Sequence, residues 1–289
     1  MPDGGILIFS YDGTFDGMMS AVFDSFLLKV TPSEVYIFGE EQPSLYKIHT
    51  VFTDKEHSRR VQDSIMTRLG ERSISLIQRC FLYGEKGKEI AIIRYIKKGF
   101  NGGRKAIGMI ADPEINPLYK MVMAVNNEAN QYFGFVRFQD SNGALVSVIH
   151  PKHLILPVIK GYFLARMYNE TFMIYDESHH SALIHQGNNT AIMAIEDLQR
   201  PDPSEDAFYC DLWKLYYEHI AIDSRYNPKC RMNHMPKRFW TDLPEVSEEL
   251  SDNYRKKLSL GTRDEIREKL LSEKQNALTE EKKSQLPTH

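Results

Sequence analysis

Residues 135–149, FVRFQDSNGALVSVI, decide how the fold of this 289-residue chain is read. FVRFQ and ALVSVI are strand-like runs on either side of Asn142-Gly143. Asn-Gly suits the tight turn that joins two antiparallel strands, because both residues tolerate positive φ. The segment therefore reads as a β-hairpin. What precedes it is helical. Pro113 and Pro117 fix the start of a helix over Leu118–Phe133. Earlier, Val61, Ile65 and Leu69 make one helical face after a cap at Asp54, and Gly70 ends it. Ile74, Ile77, Phe81 and Leu82 make a second face ended by Gly84, and Ile90, Ile93 and Ile96 a third ended by Gly99. The stretch Lys97–Lys105, KKGFNGGRK, then reads as a basic, flexible loop.

Further out, strands and helices keep arriving in blocks. Gly5–Ser10 (GILIFS), Val35–Phe38 and Tyr46–Phe52 are strand candidates, and after the first an amphipathic helix capped by Thr14 or Asp16 runs to about Leu28. Beyond the hairpin, Leu154–Met167 is helical, and Phe172–Tyr175, Ala182–His185 and Ala191–Ile195 are short strands. Glu205–Ile222 is a long helix whose aromatic residues recur at core spacing. Blocks without regular strand–helix alternation favour α+β, with mixed helices and a small antiparallel sheet or hairpins. After Pro244 the composition turns to Glu, Lys and Arg with sparse leucine. A globular domain over 1–246 and a charged, solvated helical or partly disordered tail over 247–289 are expected.

Composition excludes several classes. Apolar residues make up 42% of the chain, enough for a substantial core, and the formal charge is only −3. No apolar run reaches the ~20 residues of a membrane helix. MPDGGILIFSYDG lacks a basic leader and a cleavage pattern, so no signal peptide is expected, and the scattered cysteines suit reduced thiols in a cytoplasmic protein. Cys80, Cys210 and Cys230 are scattered and odd in number, which argues against disulfides and cysteine-ligated metals. There is no GxxxxGK[ST], no GxGxxG and no recognisable nucleophile context. No cofactor is expected.

Three places carry candidate chemistry. The first is Ser224–Trp240, SRYNPKCRMNHMPKRFW, with no acidic residue between Asp223 and Asp242. Arg225, Lys229, Arg231, Lys237 and Arg238 would hold phosphates, and Tyr226 or Trp240 would stack on an exposed base. The second is the turn Tyr11, Asp12, Gly13, Thr14 and Asp16, a candidate ligand contact at a strand-to-helix junction. Asp12-Gly13-Thr14 matches half of the DxDGT motif of haloacid dehalogenase-type phosphotransferases. Ser10 replaces the nucleophilic carboxylate, so an aspartyl-phosphate cannot form. The third is a histidine group, in which His150, His153 and Asp176 are a minor metal alternative without a specific ligand spacing.

Three motifs carry a resemblance. They are YDGTFDGMMSAVFD (residues 11–24), FMIYD (172–176) and LWKLYYEHIAIDSRYNPKCRMNHMPKRFWTDLPE (212–245). In the last, Arg225, Asn227, Arg231, Met235, Pro236, Arg238, Trp240, Leu243 and Glu245 match the pattern. Over Ile6–Glu245 the chain resembles an uncharacterised bacterial family of probable DNA metabolism proteins. Its members occur beside a radical-SAM protein of DNA modification or repair, or are fused to a uracil-DNA glycosylase-like domain. The resemblance implies an accessory role in DNA repair or modification, with DNA and the radical-SAM protein as partners; it supplies no catalytic residues. The alternative is an enzyme acting on nucleic acid or a nucleotide at the YDGTFDG turn. Family members tend to carry a basic residue soon after the Asp of FMIYD, where this chain has Glu177-Ser178-His179-His180.

Overall fold

The computed structural model describes residues 7–39, 46–141, 143–196, 198, 213–214, 216 and 227–243. The chain divides into two compact units, residues 1–205 and 206–289. The boundary expected near 246, the tail over 247–289 and most of the helix expected over 205–222 lie outside the described residues.

In the first unit, the apolar run LIFSY forms β1 (Leu7–Tyr11), and Phe9 and Tyr11 are wholly buried. Helix α1 (Phe15–Leu27) follows, its first turn capped by the Thr14 hydroxyl, which accepts from the Gly17 amide at 2.9 Å. Strands β2 (Glu34–Ile37) and β3 (Lys47–Thr50) flank β1, and both run parallel to it, giving the order β2-β1-β3. Parallel strands need a crossover rather than a tight turn, and α1 supplies it between β1 and β2.

Four helices follow: α2 (Lys55–Leu69), α3 (Glu71–Phe81), α4 (Lys88–Ile107) and α5 (Asn116–Phe135). Their apolar faces join β1 and α1 in one core that includes Phe9, Met18, Ile65, Ile77, Ile92 and Leu118. Helix α4 corrects the sequence reading, because Lys97–Lys105 is helix and not loop. Gly99 does not stop the helix. It lets α4 approach α2, since a Cβ there would stand 2.7 Å from Leu69 Cδ1. The change of direction comes later, at Gly103, whose φ of 67° and ψ of −166° kink the helix. Lys97 is committed to the fold. Its ammonium donates to the Ser25 carbonyl at 3.1 Å, to the Val30 carbonyl and to Thr31 Oγ1, closing the end of α1. Lys98 pairs with Asp112 at 3.0 Å and Glu114 at 2.9 Å.

The second sheet holds β4 (Gln139–Ser141), β5 (Ala144–Ile149), β6 (Phe172–Asp176), β7 (Ser181–Gln186) and β8 (Asn189–Ala194), paired in that order. Strands β4 and β5 pair antiparallel, with Ser141 opposite Ala144. Helix α6 (Leu156–Arg166) carries the chain from β5 to a parallel β6, and the other pairings are antiparallel. The fold is α+β as expected, with the antiparallel hairpins in β4–β5, β6–β7 and β7–β8; the parallel sheet β2-β1-β3 and the parallel β5–β6 pair stand beside them. Within this unit, the loop before α6 is tied to α5 and to the end of α3. The buried Glu128 carboxylate accepts the amides of Lys152 and His153 at 3.1 and 2.8 Å, and Leu154 donates to the Leu82 carbonyl at 3.0 Å.

In the second unit, Asn227 caps α7 (Pro228–His234) by accepting from the Cys230 amide at 3.0 Å, with Pro228 in the first turn. A 3-10 turn (Lys237–Asp242) follows, in which Phe239 and Trp240 are buried, as is Leu243 after it.

Candidate functional site

Of the basic segment, Arg225 and Tyr226 lie outside the described residues. Lys229, Lys237 and Arg238 are exposed, and Arg231 is half-buried. The aromatics divide their work from the cations. Trp240 is 5% exposed and its indole N–H donates to the Met235 carbonyl at 2.9 Å. Its ring takes the Arg231 guanidinium at 5.0 Å and the Lys237 ammonium at 5.8 Å. Arg238 lies 4.5 Å from the centre of Phe239. Base stacking asks for an open ring face, and Trp240 here is an anchor on which cations are seated. The contacts hold the charges in place, and cation–π pairing of this kind contributes about 0.5–1 kcal/mol at an exposed site. From Asn227 to Thr241 no side chain is acidic.

The N-terminal turn stands at the carboxyl ends of β1 and β3, where the strand order reverses. Ligands of open parallel sheets bind at such a reversal. Tyr11 is committed to the core, its hydroxyl donating to Glu89 Oε1 at 3.1 Å. Asp12 bridges the two strand ends. One carboxylate oxygen accepts from the Thr14 amide at 2.9 Å and hydroxyl at 2.7 Å, and the other accepts from the Thr53 hydroxyl at 2.6 Å. Burial at the turn pushes the Asp12 carboxyl upward, but the bonds from Thr53 and Thr14 outweigh it and hold it below the usual carboxylate range. Asp16 accepts from Ser58 Oγ at 2.6 Å, and Asp54 caps α2 through the amides of Glu56 and His57 at 2.7 and 3.1 Å. The Gly17, Glu56 and His57 amides are thus engaged by side chains of the protein itself, and Asp12, Asp16 and Asp54 surround them. An anion finds little welcome there, and the position suits a ligand rich in hydroxyl groups better.

The histidines do not gather. His150 Nε2 pairs with Glu177 Oε2, and His179 Nδ1 pairs with the buried Asp176 at 2.7 Å. His153 Nδ1 accepts from the Gly84 amide at 3.1 Å, and His185 is held by Thr190 Oγ1 at 2.8 Å and the Tyr168 carbonyl at 3.2 Å. Among the described residues no group of three or more His, Cys, Asp or Glu side chains could hold a metal ion. Sequence reasoning missed the carboxylate partners of His150 and His179, although the register that sets Ile149 beside Asp176 brings the two strand ends together. Among the described residues no helix is long and apolar enough to cross a membrane.

These features define an α+β protein with a cation-rich segment and a polar turn at the carboxyl ends of a parallel sheet. Residues 86–245, more than half of the chain, match the domain of unknown function DUF4130, and the chain belongs to that family. No curated protein matches it.

Proposed function

We propose that this chain is an accessory protein of DNA repair or modification, which binds nucleic acid through its basic segment and works beside a separate catalytic partner. The observation that carries the reading is the run from Asn227 to Thr241. It holds Lys229, Lys237 and Arg238 exposed, the last two on buried aromatic rings, without one acidic side chain. Phosphate is the ligand that such a surface favours, whatever the base sequence. Arg225 and Tyr226 adjoin it in the sequence and would extend it. The family resemblance supports DNA as the polymer and a radical-SAM modification or repair protein as the partner. Fluorescence anisotropy with single-stranded, duplex and uracil-containing oligonucleotides at several salt concentrations tests it. Lys229→Gln, Lys237→Gln and Arg238→Gln together should reduce the slope of log affinity against log salt by about 3. Equal, salt-insensitive retention of DNA and a neutral polymer would sink the reading.

A second reading, an enzyme acting on nucleic acid or a nucleotide, draws on the Asp12–Thr53 bridge at the strand-order reversal, where the polar turn would meet the sugar hydroxyls rather than the phosphates. Incubation with nucleotides and oligonucleotides decides it. Turnover lost in Asp12→Asn supports an enzyme, and absence of turnover by the parent chain removes it.

A further inference from the structure

The basic stretch Lys97–Lys105 is divided by the fold. Lys97 and Lys98 are consumed by contacts with α1 and with Asp112 and Glu114. Past the Gly103 kink, Arg104 and Lys105 are exposed. Arg104 Nε donates to the Arg68 carbonyl at 3.3 Å, which places its guanidinium at the end of α2 beside Gly70. There it joins the outer face of α2. Arg59, Arg60 and Arg68 are exposed and line one open groove along that helix, together with Glu56 and Asp63. Asp63 is occupied by Arg59 at 3.7 Å. Arg60, Arg68, Arg104 and Lys105 have no carboxylate partner among the described residues.

Two of these guanidinium groups are aimed by aromatic rings. Arg60 lies 5.8 Å from the centre of Phe23 on α1, and Arg68 lies 5.1 Å from that of Phe100 on α4. Their positions on α2 are separated by ~12 Å along the helix axis, from a rise of ~1.5 Å per residue. Pinned to different neighbours at that separation, they suit two separate phosphates along a polymer better than a single phosphate. We infer that the α2 face of the first unit, through Arg60, Arg68, Arg104 and Lys105, is a second contact surface for a nucleic-acid backbone. The inference rests on the nucleic-acid reading but uses none of the residues of the basic segment.

The experiment is anisotropy of a labelled duplex and a labelled single strand against the full chain over a range of salt. Arg60→Gln with Arg68→Gln should weaken binding several-fold at low salt and reduce the salt slope by about 2, since each phosphate contact contributes about 0.9. Arg60→Lys with Arg68→Lys should restore the slope. Arg104→Gln with Lys105→Gln repeats the test at the other two cations of the surface, and thermal melting confirms that each variant is folded. A slope equal to the parent's in both Gln pairs would overturn the inference. Loss confined to the Lys229, Lys237, Arg238 variant ends this inference and leaves the proposed function standing. Loss confined to the α2 variants does the reverse. A parent chain that binds poly-glutamate as tightly as DNA, or binds neither, overturns both.

Discussion

At Gly17 and Gly161 the same substitution should act with opposite sign. A Cβ on Gly17 would stand 2.1 Å from Asp12 Oδ1 and 2.9 Å from Thr53 Oγ1, so alanine must displace the carboxylate that joins β1 to β3. Overpacking of this kind costs about 1–3 kcal/mol, which outweighs the ~1 kcal/mol that alanine returns in a helix. At Gly161, inside α6, nothing lies within 4 Å of the same atom. Gly161→Ala should stabilise by about 0.4–1 kcal/mol. Thermal melting of the two variants checks both directions, at about 2–4 °C per kcal/mol for a unit of this size. The thiols are also told apart at this scale. Cys80 is buried, and burial pushes its thiol up to about 12, whereas Cys230 on α7 is exposed. In a Cys210→Ser background at pH 8, a disulfide reagent should modify Cys230 in the native protein and reach Cys80 only on unfolding.

Helix α4 shows where the sequence was legible and where it was not. The apolar period Ile90, Ile93, Ile96 announces the helix, and that part of the reading holds. A glycine, however, serves equally as a helix stop and as a place where two helices touch, and only the neighbour distinguishes them. Gly99 faces Leu69, so the helix runs on; Gly103 has nothing within 4 Å and an unusual backbone instead. That conformation is close to one open to glycine alone. Gly103→Ala should cost about 1–3 kcal/mol in chemical denaturation and turn the segment bearing Arg104 and Lys105 away from α2. The pairing of β4 with β5 was legible because the turn signal is local, but the first strand is Gln139–Ser141 and not FVRFQ, since α5 runs on to Phe135. The parallel pairing of β1 with β2 and β3 was not, because alternation reports which face of a strand is buried and says nothing of its neighbours. The basic segment divides likewise. Its charges are plain in the sequence, but that Trp240 is the seat of Arg231 and Lys237 depends on a bend after Met235 that composition does not encode. Trp240→Ala should therefore report on the integrity of the segment, at about 3–5 kcal/mol, more than on base recognition.

Over the whole molecule, charge is segregated rather than abundant. A chain of formal charge −3 keeps Asn227–Thr241 free of acids, so association with a polyanion is a property of faces and not of net charge. The core has the opposite character, because it is shared. Phe9, Met18, Ile65 and Ile77 from β1, α1, α2 and α3 pack in the same cluster as Ile92, Ile96 and Leu118 from α4 and α5, and the Tyr11 hydroxyl reaches Glu89 across it. The match to DUF4130 begins at residue 86, in the middle of that cluster. A fragment starting there would uncover the apolar faces of α4 and α5, and should collect in the insoluble fraction or bind a hydrophobic dye while the full chain does neither. Kinship is measured along a chain, whereas cooperativity is measured across it, and here the two boundaries disagree. If this packing is general to the family, every protein bearing the matched stretch must find another segment, or another molecule, to do for α4 and α5 what residues 7–81 do here.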